Sequence, residues 1–323
     1  MAHLVRANTL RSTRLSSRHL STWTLSAQPH LSPLAVNRAT PLTYRLKTRA
    51  CCPPRLSTRC FHPTSSAMVS DVSELKETLT PDLLEEIREF WFEHMEDEDA
   101  LILPGQRDMQ RWFTRDETFD KICVAQFQPA LDTIIESGAS AADILDAIDT
   151  SSPLEWLSII LLLDQVPRNC HRGDESKLVF GRFDPLAEEI ALRAIDAGIA
   201  TKSSEVRYRL AHRFWFHMPL MHSENLAVHE QAVKQHEETA KDMGRFLLRD
   251  VSTLSEDEKK CYGILSNKQD ALSALLTNLL DFEKRHKVII EQFGRYPHRN
   301  QALGRVPTAE EVEYLKNGGE TFG

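Results

Sequence analysis

A chain of 323 residues, 41% apolar and 27% charged, has an ordinary globular composition and is long enough to bury a sizeable core. Its net charge of −8 hides an asymmetry: residues 1–70 hold nine Arg, one Lys and no acid, leaving 29 basic against 47 acidic residues beyond them. A body this acidic excludes a non-specific nucleic-acid footprint, which needs a basic face.

The first 70 residues are rich in Arg, Ser, Thr and Leu, with Pro at 29, 33, 41, 53, 54 and 63. A basic, hydroxylated, acid-free leader is the composition of an organellar transit peptide. The expectation is mitochondrial targeting if translation starts at Met1, and a cytoplasmic protein if it starts at Met68. Residues 78–323 are then expected to form one all-helical domain.

Thr80-Pro81 reads as a cap and first-turn proline, with Leu83, Leu84, Ile87, Phe90 and Trp91 on the apolar face of the helix that follows. A second helix should run from about Thr114 or Asp116 to Gly138, and a short third from Ala141 to Asp149. Ser152-Pro153 opens the most apolar segment, with Glu155 placed to complete a capping box and Pro167 to stop the helix. Asp184-Pro185 starts another helix, ending at Gly198, and Ser203 or Ser204 starts one that ends before Pro219. Ser223 is placed to cap a long helix through Leu248; on it, the seven-residue recurrence of His222, His229 and His236 reads as a solvated face. Residues 249–262, polar and acidic, read as a loop or insertion. Gln269 to Phe293 should be the last long helix, stopped by Gly294, and Thr308 with Glu311 caps a short terminal one. No segment alternates with a strand's period. The class expected is all-α, an array of antiparallel helices.

Cysteines are scattered, with no Cys-x-x-Cys pair, so neither a zinc ribbon nor a redox motif is expected. The odd number in the body (Cys123, Cys170 and Cys261) points to a reducing compartment. No apolar run reaches the ~18 residues of a membrane span. No metal or cofactor is expected.

Three polar knots interrupt the apolar pattern. In the first, Asp164, Gln165, Arg168 and Asn169 follow the apolar helix, and Asp164 lies where the helix dipole disfavours an acid. In the second, His222, Ser223 and Glu224 follow the aromatic cluster Phe214, Trp215 and Phe216. In the third, Arg295, His298, Arg299, Asn300 and Arg305 form a cationic island free of acids from 292 to 309. His286 shares the core stripe of Leu279, Phe282, Ile289 and Phe293 and reads as a hydrogen-bonded core residue. Arginine forks bind carboxylates and phosphates, so the leading expectation is a pocket for a small anionic ligand or acidic peptide. Arg168, Arg295 and Arg299 would hold the anion, with Gln165 and Asn300 orienting it. One alternative is an acid–base hydrolase in which His222 or His298 is the base and Glu224 or Asp164 its orienter. Another makes the knots ion pairs locking helix ends, with function on the surface as a protein adaptor.

The runs Leu-Leu-Asp-Gln-Val-Pro-Arg-Asn, Met-Pro-Leu-Met-His-Ser-Glu and Phe-Gly-Arg-Tyr-Pro-His-Arg-Asn, together with Phe90-Trp91-Phe92 and Arg111-Trp112-Phe113, resemble the family called domain of unknown function 924. The resemblance covers roughly residues 83–323. It implies a tetratricopeptide-like helical fold and no assigned activity. Its signature positions correspond to the knots and to Asp184, His286 and Gly294. The leader, the Trp91–Trp112 spacing and the acidic 249–262 stretch depart from the compact bacterial pattern.

Overall fold

The computed structural model describes residues 72–322, so the leader lies outside the described residues. Every regular element among them is helical, from short turns to the 25-residue helix Gln269–Phe293, and no strand occurs among the described residues. The chain is all-α. None of the described helices is long and apolar enough to cross a membrane.

Capping chemistry sets most boundaries. Thr80 Oγ1 accepts the Leu83 N–H at 3.2 Å and starts Pro81–Phe92. Asp116 starts Glu117–Glu136, and capping boxes start Ala141–Asp146 and Ala309–Lys316. Gln269–Phe293 ends at Gly294, whose φ of 68° is a left-handed value that a Cβ would strain.

Several expectations need correction. The helical structure begins earlier than residue 78, with Val72–Thr78. Glu155 turns to the Asp149 N–H at 2.7 Å rather than back to Ser152, so only half the expected capping box forms. Pro167 does not end the helical path. Pro153–Asp164 breaks at Gln165, and the proline is then accommodated early in the short helix Val166–Cys170. The acidic 249–262 stretch is no loop. It holds a 3-10 turn and most of the helix Glu256–Asn267, whose three first-turn acids face the positive helix end. The expected single helix before Pro219 is broken into short turns: Ser204–Arg207, Leu210–Arg213, Phe214–Phe216 and Met218–Met221. The next helix, Leu226–Leu247, is capped by Asn225, and Ser223 instead accepts the Asn225 N–H. With that start, His229, Ala232, His236 and Thr239 fall on its buried face, not in solvent.

Pro153–Asp164 is the centre of the core. Every residue from Trp156 to Asp164 is buried, and the helix packs against Pro81–Phe92 on one side and Asp184–Asp196 on another. Ser158 ties it to the first of these, donating to Leu84 O at 2.6 Å while accepting from Arg88 Nη1 at 2.7 Å. Leu226–Leu247 and Gln269–Phe293 lie antiparallel beside this centre: His229 meets Glu283, while Met243 and Leu272 line one groove further along. Buried imidazoles are numerous here. Burial pushes His212 and His236 down to about 4, and His217 and His286 lie well below their ordinary value for the same reason.

These histidines give a pH prediction. The unfolded chain protonates its imidazoles near ~6.5; in the folded chain His212 and His236 do so only near 4, and His217 and His286 well below their ordinary value. Between those values the unfolded state binds more protons, so stability falls as pH falls, by about 1.4 kcal/mol per pH unit for each such histidine. Urea midpoints should drop steadily from pH 7 to pH 5, and His236→Phe should make that decline shallower.

Candidate functional site

Asp164 ends the central helix, 1% exposed, where the last carbonyls already make the potential negative. It survives as an anion because donors surround it. Oδ1 meets His222 Nδ1 at 2.6 Å, and Oδ2 accepts from Gln165 Nε2 at 2.6 Å. Arg168 Nη2 stands 3.5 Å from Oδ1. Burial alone would raise this carboxyl; His222, Arg168 and Gln165 outweigh it and hold it at about 2.

Arg168 makes its closer contact elsewhere, with Asp184 Oδ1 at 2.6 Å. Asp184 starts Asp184–Asp196 directly after a π-helical turn, Val179–Phe183. Wide turns of this kind re-aim side chains, and Phe180 on this one faces the site. Arg299 completes the ring. It stands 3.3 Å from Asp184 Oδ2, and its guanidinium lies between the rings of Phe180 (4.6 Å) and Tyr296 (4.4 Å). Two carboxylates, Asp164 and Asp184, thus face two guanidiniums, Arg168 and Arg299.

The turn that carries His222 is gripped at three consecutive carbonyls. Tyr296 Oη donates to Met221 O at 2.5 Å, Arg299 Nη1 to His222 O at 2.9 Å, and His229 Nε2 contacts Ser223 O at 2.9 Å. Glu224 follows, held by both Arg305 Nη atoms at 2.6 and 3.0 Å and by the Tyr296 N–H at 2.9 Å. Burial would raise the Glu224 carboxyl; Arg305 and the Tyr296 N–H bring it below its ordinary value.

His222 is engaged through one ring nitrogen only. Nδ1 is taken by Asp164, while Nε2 has no hydrogen-bond partner among the described residues, on a side chain 11% exposed. Burial, then Arg168, lowers its pKa against the opposing pull of Asp164, so the ring is neutral at pH 7.

The residues expected to act together are therefore divided. Asp164, Gln165, Arg168, His222, Glu224, Arg299 and Arg305 converge. Arg295 and Asn300 do not join them: Glu311, 1% exposed, takes Arg295 Nε at 2.6 Å, Asn300 Nδ2 at 3.1 Å and the Thr308 N–H at 2.7 Å. Asn169 bonds Gln165 O and Arg172. Of the expected base and orienter candidates, His222 and Asp164 come together. His222 pairs with Asp164 rather than Glu224, because Arg305 claims Glu224. His298 makes no ion pair with Asp164; it lies edge-on to Phe180, and burial pushes it to about 4. His286 is 1% exposed and meets Phe282 O at 2.8 Å, as its stripe suggested. Phe180, Tyr296 and Glu283 join the site without having stood out in the sequence, and His229, expected on a solvated face, is buried beside it. Glu283 left a signal, an acid four residues after Leu279 and three before His286 on a core stripe.

Asp164, Asp184 and His222 also bring one potential metal-ligand atom each within 4.8 Å of one another. A cation there would sit against the guanidiniums of Arg168 and Arg299, and the carboxylates are already balanced by them. The donor set suits a proton better than a divalent ion.

The sequence matches the family described as bacterial protein of unknown function (DUF924) over residues 87–319. The chain belongs to this family. Among solved structures, a protein of unknown function from Agrobacterium tumefaciens is 26% identical over 73% of this chain and 98% of its own, with a TM-score of 0.48. No curated protein matches.

Removing one partner from a buried charged ring leaves the other uncompensated. Arg299→Ala should lower unfolding free energy by about 3–5 kcal/mol, read from urea titration. Arg193→Ala, which breaks an exposed pair with Glu189, should change it by less than about 1 kcal/mol.

Proposed function

We propose that this DUF924 protein is an acid–base enzyme, most simply a hydrolase, with His222 as general base. The Asp164–His222 contact of 2.6 Å carries the reading. A buried carboxylate on Nδ1 fixes the tautomer that leaves a lone pair on Nε2, and that nitrogen is unspent. The neutral state of the ring at pH 7 makes the lone pair available. Arg168 and Arg299, rigidly held beside it, are suited to stabilise negative charge as it develops.

The expectation of simple anion binding recedes, because each arginine of the knots faces a carboxylate that an anion would have to displace. One observation keeps it as a second reading: the Nε–H groups of Arg168 and Arg299 are buried with no acceptor among the described residues. They are donors of the kind an oxyanion takes. Under that reading, phosphate or a small carboxylate would raise the melting temperature with no turnover.

A panel of carboxylic esters, phosphate monoesters and amides tests the proposal. Hydrolysis of one class is expected, with His222→Gln and Asp164→Asn each reducing kcat by about 10²–10⁴-fold. The rate should rise with pH through a midpoint below ~6.5, the ordinary imidazole value. Turnover indifferent to His222→Gln, or none on any class, would sink the enzyme reading.

A further inference from the structure

Behind the Met221–Glu224 turn lies a second carboxylate–imidazole pair that the proposed chemistry does not touch. His229 on Leu226–Leu247 and Glu283 on Gln269–Phe293 are both 0% exposed. His229 Nδ1 meets Glu283 Oε1 at 2.8 Å, and Nε2 meets the Ser223 carbonyl at 2.9 Å. A carbonyl oxygen only accepts, so Nε2 carries a hydrogen and donates it. The Tyr296 hydroxyl, 3.4 Å from the same nitrogen, sends its own hydrogen to Met221 O.

One further proton must lie between Nδ1 and Oε1, whichever atom holds it, because two bare lone pairs would repel at that distance. Adding another would bury a net positive charge, with Glu283 Oε2, which has no partner among the described residues, as the place to receive it. Removing one would leave a net negative charge equally sealed. The chargeable groups around the pair are Lys287 and His286 on the helix of Glu283, and Tyr296 from the C-terminal segment. The arrangement therefore aims a hydrogen at the Ser223 carbonyl.

We infer that His229, oriented by Glu283, is a positioning residue for the imidazole of His222. It fixes the carbonyl next along the chain, as Arg299 fixes that of His222 itself and Tyr296 the one before. With the three peptide oxygens held, the His222 ring keeps Nδ1 on Asp164 and Nε2 unspent. That this ring matters chemically rests on the proposal above; that it is positioned from behind is a separate statement with a separate readout.

The experiment is histidine-ring nitrogen NMR on the isotopically labelled full chain, followed through a pH titration and needing no substrate. Wild-type His222 should show one tautomer, with hydrogen on Nδ1, and a midpoint below the ordinary imidazole value. His229→Phe keeps the bulk and removes the donor. It should give mixed His222 tautomers and an upward shift of the midpoint. Glu283→Gln, whose amide can still bond Nδ1, should preserve the single tautomer. If His229→Phe does not fold, Glu283→Leu, which leaves the imidazole without its orienter, should give the same loss. A His222 signal with unchanged tautomer and midpoint in these donor-loss variants would overturn the inference, as would tautomer mixing already present in wild type. Absence of turnover accompanied by the expected spectral changes would sink the catalytic proposal and leave this one standing.

Discussion

A carboxylate buried at the C-terminal end of an apolar helix is costly twice over, once for desolvation and once for the dipole it opposes. Asp164 is in that position, and the site is arranged around answering it. His222, Gln165 and Arg168 supply the hydrogens and the opposing charge. Arg168 then needs Asp184, Asp184 takes Arg299, and Arg299 needs the two aromatic faces that replace water around it. Each solution creates the next requirement, so the knots of the sequence become one connected network.

Neutrality of that network changes what it can do. Free arginines in a cleft collect anions. Arginines balanced one for one by carboxylates instead fix geometry and set local potential. A component left with capacity is the His222 imidazole, which has a carboxylate on one nitrogen and no hydrogen-bond partner among the described residues on the other. Chemical interest therefore moves from the cationic island to the ring it helps to hold, and Arg295 drops out altogether because Glu311 claims it.

Much of the fold was legible because helix ends are written in short-range chemistry. Thr80, Asp116, Ser140, Thr308 and Gly294 act within three or four residues of themselves, and each marks a boundary. The misplaced charge at Asp164 was equally visible, since dipole direction follows from helix direction. Pairing was not visible. Whether Glu224 turns to His222 or to Arg305 depends on a segment 81 residues further along. The histidine recurrence misled for a related reason: His222 precedes the Asn225 cap and shares no helix face with His229 or His236. The acidic 249–262 stretch misled because acids at a helix start look, by composition alone, like a solvated loop.

The three-carbonyl grip also bears on when the site can exist. Tyr296 lies 75 residues beyond Met221, and Arg299 lies 77 beyond His222. A ribosome that has finished the central helix and the His222 turn has made Asp164 and His222 but not the Tyr296 and Arg299 side chains that grip the turn. Closing loops of that length is entropically slow. The last helical segments are thus the clock of assembly: an interrupted chain carries Asp164 and His222 in full and leaves the turn between them ungripped.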